Sequence, residues 1–419
     1  MFGCSAEYEG QSLNQHLLQG PDLTNTLIGV LCRFREERVS LTCDIESMFC
    51  QMRVNEAHRD YLRFLWWPDG DTSKQPEDYR MKVHLFGATS SPGCSNLALK
   101  TTAKDGEAQF GTEAATFVEK CFYVDDGLKS VETVNQAIKL IKSSVEMCQK
   151  GGFRLHKFAA NEREVIESIP IEYRATDVKE LDQCHVILPA EGVLGVEWCI
   201  ESDSFRFRIT LKDKPLTRRG VLATISSIYD PLGFVAPVLL AGKRILQMLC
   251  KDNPNWDDPL PDTLKAEWEK WRDVIHSLEN MKVERCFKPK DFGQVKTVEL
   301  HYFSDASFGG YGQRSYLGLV DDSDKVQCSL VMGKSRVVPL KPVSIPRLEL
   351  TAAVVSIKVS AMLQDELEYG NITEVYWTDS KVVLGYINND ARRFHVFVAN
   401  RVQQIRDHSS KDQWNYVES

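Results

Sequence analysis

A chain of 419 residues is too long for one ordinary hydrophobic core and calls for two or three domains. With 43% apolar and 26% charged residues, no apolar run near twenty residues and no signal-peptide pattern, it reads as an intracellular globular protein, not a disordered, secreted or membrane-spanning one. A net charge of −8 runs against a nucleic-acid partner unless acids gather at metal sites and Arg206, Arg208, Lys212, Lys214, Arg218 and Arg219 form a local basic stripe; a solvated face accounts for that run equally well.

The opening Met1-Phe2-Gly3-Cys4-Ser5-Ala6 starts abruptly, and an apolar-periodic helix is expected over residues 23–34, breaking at the charged Arg35-Glu36-Glu37-Arg38. Val39-Ser40-Leu41-Thr42-Cys43-Asp44-Ile45 then alternates as a half-buried strand does and carries an acid near its end. Phe49 follows, in a place where an aromatic ordinarily packs into the core. Residues 61–67 and 79–85 read as two strands pairing antiparallel. Phe86-Gly87-Ala88-Thr89-Ser90-Ser91-Pro92-Gly93 opens a helix through Asn96, Leu97, Leu99 and Lys100, with the proline where a lost N–H does no harm.

Phe122-Tyr123-Val124-Asp125-Asp126-Gly127-Leu128-Lys129 sets two adjacent carboxylates at a tight turn between apolar runs. Asp-Gly is a hairpin signal, because glycine supplies the positive φ such a turn requires. Neighbouring carboxylates repel, which is tolerable chiefly where a divalent cation neutralises them, although a solvated turn would explain this motif taken alone. Asp44 beside the hairpin would complete three acids on two neighbouring strands, the set that two-metal nucleotidyl transfer needs.

At Gly151-Gly152-Phe153-Arg154-Leu155-His156-Lys157-Phe158 the chain turns back. Phe205-Arg206-Phe207-Arg208-Ile209 alternates rings and cations, a pattern able to track a phosphate backbone. Residues 217–250 are helical in pattern, broken at Tyr229-Asp230-Pro231-Leu232-Gly233-Phe234, and an amphipathic helix over 264–278 turns Trp268 and Trp271 to the core. After a polar linker at 288–293 a new pattern begins: a strand to Asp305, two more through Leu319 and Val331, a helix over 346–367, a short strand ending in Asp379-Ser380, and a helix over 381–387. Asp305 and Asp379 should close adjacent strands, with Glu349 on a helix face shared with Ala352, Ala353 and Ser356, residues small enough to bring helix and sheet together. The twelve cysteines show no Cys-x-x-Cys pair or Cys/His cluster, so neither a disulfide framework nor a zinc site is indicated.

Asp44-Ile45-Glu46-Ser47-Met48-Phe49 followed by Tyr123-Val124-Asp125-Asp126 resembles the A and C motifs of reverse transcriptases, residues 86–93 resemble motif B, and Leu194-Gly195-Val196-Glu197-Trp198 resembles the primer-grip hairpin. The βββαβα order with Phe303-Ser304-Asp305-Ala306-Ser307, Arg347-Leu348-Glu349-Leu350 and Trp377-Thr378-Asp379-Ser380 resembles the ribonuclease H fold. Along essentially its whole length the chain resembles the reverse transcriptase and ribonuclease H segment of BEL/Pao-type long-terminal-repeat retrotransposon polyproteins. The resemblance implies an α+β chain: a right-hand polymerase palm with truncated fingers over 1–165, primer grip, thumb and connection over 166–290, and a ribonuclease H-like domain, cut short of its fourth carboxylate, over 291–419.

The same resemblance implies an RNA-directed DNA polymerase with polymerase acids Asp44, Asp125 and Asp126, nuclease acids Asp305, Glu349 and Asp379, and two Mg²⁺ or Mn²⁺ ions at each site. Phe49 would exclude a 2′ hydroxyl, Phe86 would pack against the ribose, Gly87 would admit the backbone to the nucleotide, and Lys157 would meet the departing pyrophosphate. Expected partners are RNA template, DNA primer, RNA–DNA hybrid and deoxynucleotide triphosphates, in the cytoplasm or a virus-like particle, with the oligomeric state not legible. No Asp-Ser-Gly or Asp-Thr-Gly peptidase signature occurs, and an integrase would lie beyond residue 419. The competing reading is a decayed or co-opted remnant that at most binds nucleic acid. An RNA-templated RNA polymerase also uses paired aspartates, but Phe49 and the nuclease-like module count against it.

Overall fold

The computed structural model describes residues 3–175, 185–187, 196–209, 211–252, 255–390 and 393–418. Contacts divide the chain into one unit of Met1–Val30 with Val39–Gln183 and a second of Leu31–Arg38 with Cys184–Ser419. No described helix is long and apolar enough to cross a membrane.

The first unit runs through α1 (Leu13–His16), the start of α2 (Leu27–Phe34), β1 (Val39–Ile45), β2 (Arg63–Trp66), β3 (Glu77–Arg80), α3 (Ser91–Phe110), α4 (Thr112–Lys120), β4 (Phe122–Tyr123), β5 (Asp126–Val131), α5 (Val134–Lys150), β6 (Leu155–Ala160) and α6 (Arg163–Glu167). Helix α2 begins later than its periodicity predicts, because Asp22 accepts from the Thr24 N–H to make a turn and the Thr26 hydroxyl caps the Gly29 N–H. Strands β4-β5-β1-β6 form an antiparallel sheet. Its core joins Leu41, Cys43, Ile45, Phe117 and Phe122 to the Leu140, Ile141 and Met147 face of α5, each large side chain contributing about 1.5–3 kcal/mol on burial. The alternation in β1 predicts one wet face, yet Ser40 and Thr42 are buried too.

The turn between β4 and β5 is Val124–Asp125, with Tyr123 facing Asp126. Here the Asp-Gly expectation fails: Gly127 lies inside β5 opposite Cys43, and the residue that takes positive φ, +56°, is Val124. A Cβ at Gly127 would stand 2.6 Å from the Phe122 ring and 2.9 Å from Cys43 Sγ, so the position demands glycine for room, not for turning.

In the second unit, β7 (His185–Ile187), β8 (Val196–Cys199), β9 (Ser204–Phe207) and β10 (Lys282–Glu284) make an antiparallel sheet, with α7 (Arg218–Ser226), α8 (Ala236–Asp252) and α9 (Asp262–Ser277) between its third and fourth strands in sequence. Of the expected primer-grip hairpin, Leu194 and Gly195 lie outside the described residues, while Trp198 is buried and donates to Asp203 at 2.9 Å. Three members of the basic run are engaged within the fold: Arg208 pairs with Glu197, Arg219 with Asp257, and the Arg218 guanidinium lies 3.7 Å from the Trp256 ring.

The larger sheet follows, from β11 (Val295–Ala306), β12 (Gly310–Asp321), β13 (Val326–Val337), β14 (Ile372–Thr378) and β15 (Trp414–Tyr416), in the order β13-β12-β11-β14-β15. The first three strands are antiparallel, and β14 and β15 run parallel to β11. Helices α10 (Ile345–Glu366), α11 (Lys381–Asn388) and α12 (Val396–His408) complete it. The α7–α8 loop seats on edge strand β13: the Gly333 N–H donates to Leu232 O at 2.8 Å, and a Cβ on Gly233 would fall 1.8 Å from Gly333 O.

Among the described residues of this unit, Arg35 and Arg285 are fully buried. Arg285 forks onto the Asp203 carboxylate at 2.6 and 2.8 Å. Arg35 has carbonyls for partners, those of Arg285, Glu284, Leu330 and Val331, and its guanidinium lies 4.2 Å from the Phe287 ring.

Candidate active sites

In the first unit, Asp44 and Asp126 face each other across the β1–β5 pair, and the turn carrying Asp125 is pinned to β1 by the Ile45 N–H donating to Asp125 O at 2.8 Å. Burial first, and then the charges of Asp125 and Asp44, push the Asp126 carboxyl up to about 7. Asp125 is raised as well, by burial and by the charge of Asp44. The three acids are therefore a mutually repelling set in want of positive charge.

Strand β6 supplies some. Its pairing with β1 matches Thr42 to Ala159 but Asp44 to His156, which leaves one extra residue on β6, a bulge. Lys157 takes φ +52° there. Successive strand residues normally face opposite sides, but across this bulge both reach Asp44: His156 Nε2 lies 2.6 Å from Oδ1, and Lys157 Nζ donates to Oδ2 at 2.9 Å. The hydrogen bond to Asp44, and then the charges of Asp44, Asp126 and Asp125, hold the Lys157 ammonium above its ordinary basicity. His156 is the residue that sequence reasoning missed, since strand alternation would send it away from Lys157.

Phe49 sits in a 3₁₀ turn, Met48–Gln51, just past β1, and meets Phe86 edge to face with ring centroids 5.6 Å apart. Phe86 is 57% exposed. Gly87 has φ +101°, and its loop is clamped by Asn14, which donates to Gly87 O and accepts from the Thr89 N–H. Asn14 carries no local signal that would have singled it out.

In the second unit, Ser304 and Thr378 pair side by side across parallel β11 and β14, so Asp305 and Asp379 follow them at the same end of the sheet. Burial raises the Asp305 carboxyl, and the Asp379 charge adds to it. Glu349, in α10, accepts from Ser380 Oγ at 2.5 Å, tying it to the residue after Asp379. Ala352, Ala353 and Ser356 are fully buried, as close packing of α10 on the sheet requires. Asp305 and Asp379 open onto a cleft of about 490 Å³ whose walls include Phe303, Trp377, Arg314 and Leu240 of α8; Glu349 is outside that lining.

Among the described residues no three His, Cys, Asp or Glu groups have drawn together into a cation cage. The donor sets nonetheless fit divalent ions in kind: three oxygen-bearing acids in the first unit, one pushed up to about 7 by burial and then by its acidic neighbours, and in the second a buried Asp379 Oδ1 without a hydrogen-bond partner.

Residues 217–380 match a family model described as Pao retrotransposon-like RNaseH-like domain. No curated protein matches the chain. Three solved structures of the foamy viral protease-reverse transcriptase share its fold. The dRH form in complex with double-stranded DNA has a TM-score of 0.57 at 12% identity, over 97% of this chain and 61% of that one. The complex with RNA/DNA hybrid gives 0.58 at 11%, over 97% and 47%, and a complex with double-stranded DNA 0.56 at 12%, over 99% and 74%. The chain thus spans between about half and three quarters of the length of these relatives. Residues 217–380 are thus similar to the Pao retrotransposon-like RNaseH-like family, and nearly the whole chain shares the mixed helix and sheet fold of these foamy viral reverse-transcriptase structures.

Proposed function

We propose that the chain is an RNA-directed DNA polymerase with an attached nuclease for the RNA strand of RNA–DNA hybrids. The observation that carries this reading is the juxtaposition of Asp44 and Asp126 on paired strands, with Asp125 in the adjoining turn. In this reading residues 1–165 are palm and partial fingers, 166–290 primer grip, thumb and connection, and 291–419 the ribonuclease H-like domain.

Asp44, Asp125 and Asp126 would hold two Mg²⁺ or Mn²⁺ ions, which when bound supply the charge that two-metal phosphoryl transfer needs at the attacking hydroxyl and the leaving group. Phe49, braced by Phe86, closes the space a 2′ hydroxyl would need and so selects deoxynucleotides. Gly87, at a φ that side chains avoid, lets the loop backbone approach the nucleotide. Lys157 meets the departing pyrophosphate. Asp305, Glu349 and Asp379 form the nuclease set, with the Ser380 hydroxyl orienting Glu349. Template, primer and hybrid are the partners, a reading supported by the DNA and RNA/DNA hybrid in the relatives' complexes.

The test is primer extension on an RNA template. Extension should need Mg²⁺ or Mn²⁺ and vanish in Asp125→Asn, which strips one charged ligand; extension retained by that variant overturns the reading, and none by the parent chain favours a non-catalytic remnant.

A further inference from the structure

Asp44 has its two oxygens served by unlike partners. The His156 ring on Oδ1 is only 20% exposed and fixed in the fold, whereas the Lys157 side chain on Oδ2 is 56% exposed and rides a flexible four-carbon stem. The bulge that brings both to one side keeps Lys157 at φ +52°, a backbone state L residues rarely adopt, and a regular strand would turn the ammonium away. Strain of that kind, kept beside a candidate site, is a reason to look for a role.

We propose that Lys157 is an exchangeable counter-ion for Asp44, Asp125 and Asp126: its ammonium neutralises Asp44 until a divalent cation binds, and is then expelled. The inference rests on the reading that these acids take such a cation. Ammonium and cation compete for Asp44 Oδ2, so the chain's own lysine weakens the binding of the ion, and His156 keeps the carboxylate aimed while the exchange takes place. Expulsion costs little desolvation, because the ammonium already meets solvent. It also frees Lys157 for the triphosphate only once the ion is in place, which orders the two events.

The competition can be read as Mn²⁺ binding, by the spin-resonance signal of free Mn²⁺, in full chains carrying Asp379→Asn to silence the second site. Removing a partly exposed competitor should tighten binding by about 2- to 10-fold. Lys157→Met should therefore bind Mn²⁺ more tightly by that factor, Lys157→Arg should stay near the parent, and Lys129→Met, elsewhere on the same sheet, should change nothing. In the parent chain, the ¹³C resonance of reductively methylated Lys157 should move toward that of a solvated lysine as Mg²⁺ is added. Unchanged or weaker Mn²⁺ binding by Lys157→Met, or a resonance that ignores Mg²⁺, overturns the exchange alone. Mn²⁺ binding that is the same in a further Asp44→Asn, Asp126→Asn chain removes the cation site itself, and the exchange with it.

Discussion

The Phe49 ring meets the half-exposed Phe86 edge to face. If the ring excludes a 2′ hydroxyl, Phe49→Val should raise the ratio of kcat/KM for ribo- over deoxynucleotide by about 10-fold or more, the scale on which small steric changes in a pocket act. Phe86→Ala should move the ratio the same way by less, because the ring is then free to retreat. Steady-state incorporation of paired nucleotides measures both, and an unchanged ratio in Phe49→Val leaves the ring as core packing. The acids, Phe49 and Lys157 were all legible in the sequence as motif positions. His156 was not: its approach to Asp44 depends on one unpaired residue in β6, and nothing in the order Leu155-His156-Lys157 announces a bulge.

Elements were legible where a long apolar periodicity stood behind a start signal, as in α10, expected over 346–367 and found at Ile345–Glu366 with proline in its first turn. They were misread where a residue served space instead of conformation. Gly127 is the case in point, and Gly127→Ala should destabilise the first unit by about 1–3 kcal/mol through overpacking against Phe122 and Cys43, to be read from urea denaturation. In the α7–α8 loop, the Asp230 carboxylate accepts from the Phe234 and Val235 N–H groups at 2.9 Å each, yet burial outweighs those bonds and raises it to about 6. A raised carboxyl keeps its proton in the folded state while the unfolded chain sheds it. The stability it contributes is thus full below about pH 4 and declines as pH rises to about 6, by at most about 3 kcal/mol. Asp230→Asn should flatten that part of the stability profile, which denaturation at several pH values would show.

At the scale of the molecule the two acid sets belong to different units, so their losses should separate. Asp125→Asn should abolish extension and leave hybrid cleavage standing; Asp379→Asn should do the reverse, provided the nuclease set is competent, and the two assays on the two variants decide it. The division into units was not legible around residues 31–38. Arg35-Glu36-Glu37-Arg38 reads as a solvated break, because charge ordinarily marks surface, yet Arg35 and Glu36 are buried in the second unit. What permits this is a set of carbonyls lying 249 to 296 residues further along the chain. That separation has a meaning in time. A ribosome adding about 5–20 residues per second delivers those partners roughly 15–60 s after Arg35 itself, and throughout that interval a guanidinium destined for the interior is attached directly ahead of β1. Protease probing of ribosome-bound chains should find residues 31–38 cleavable until Val331 has emerged and protected soon after, so that a segment made later closes over one made well before it.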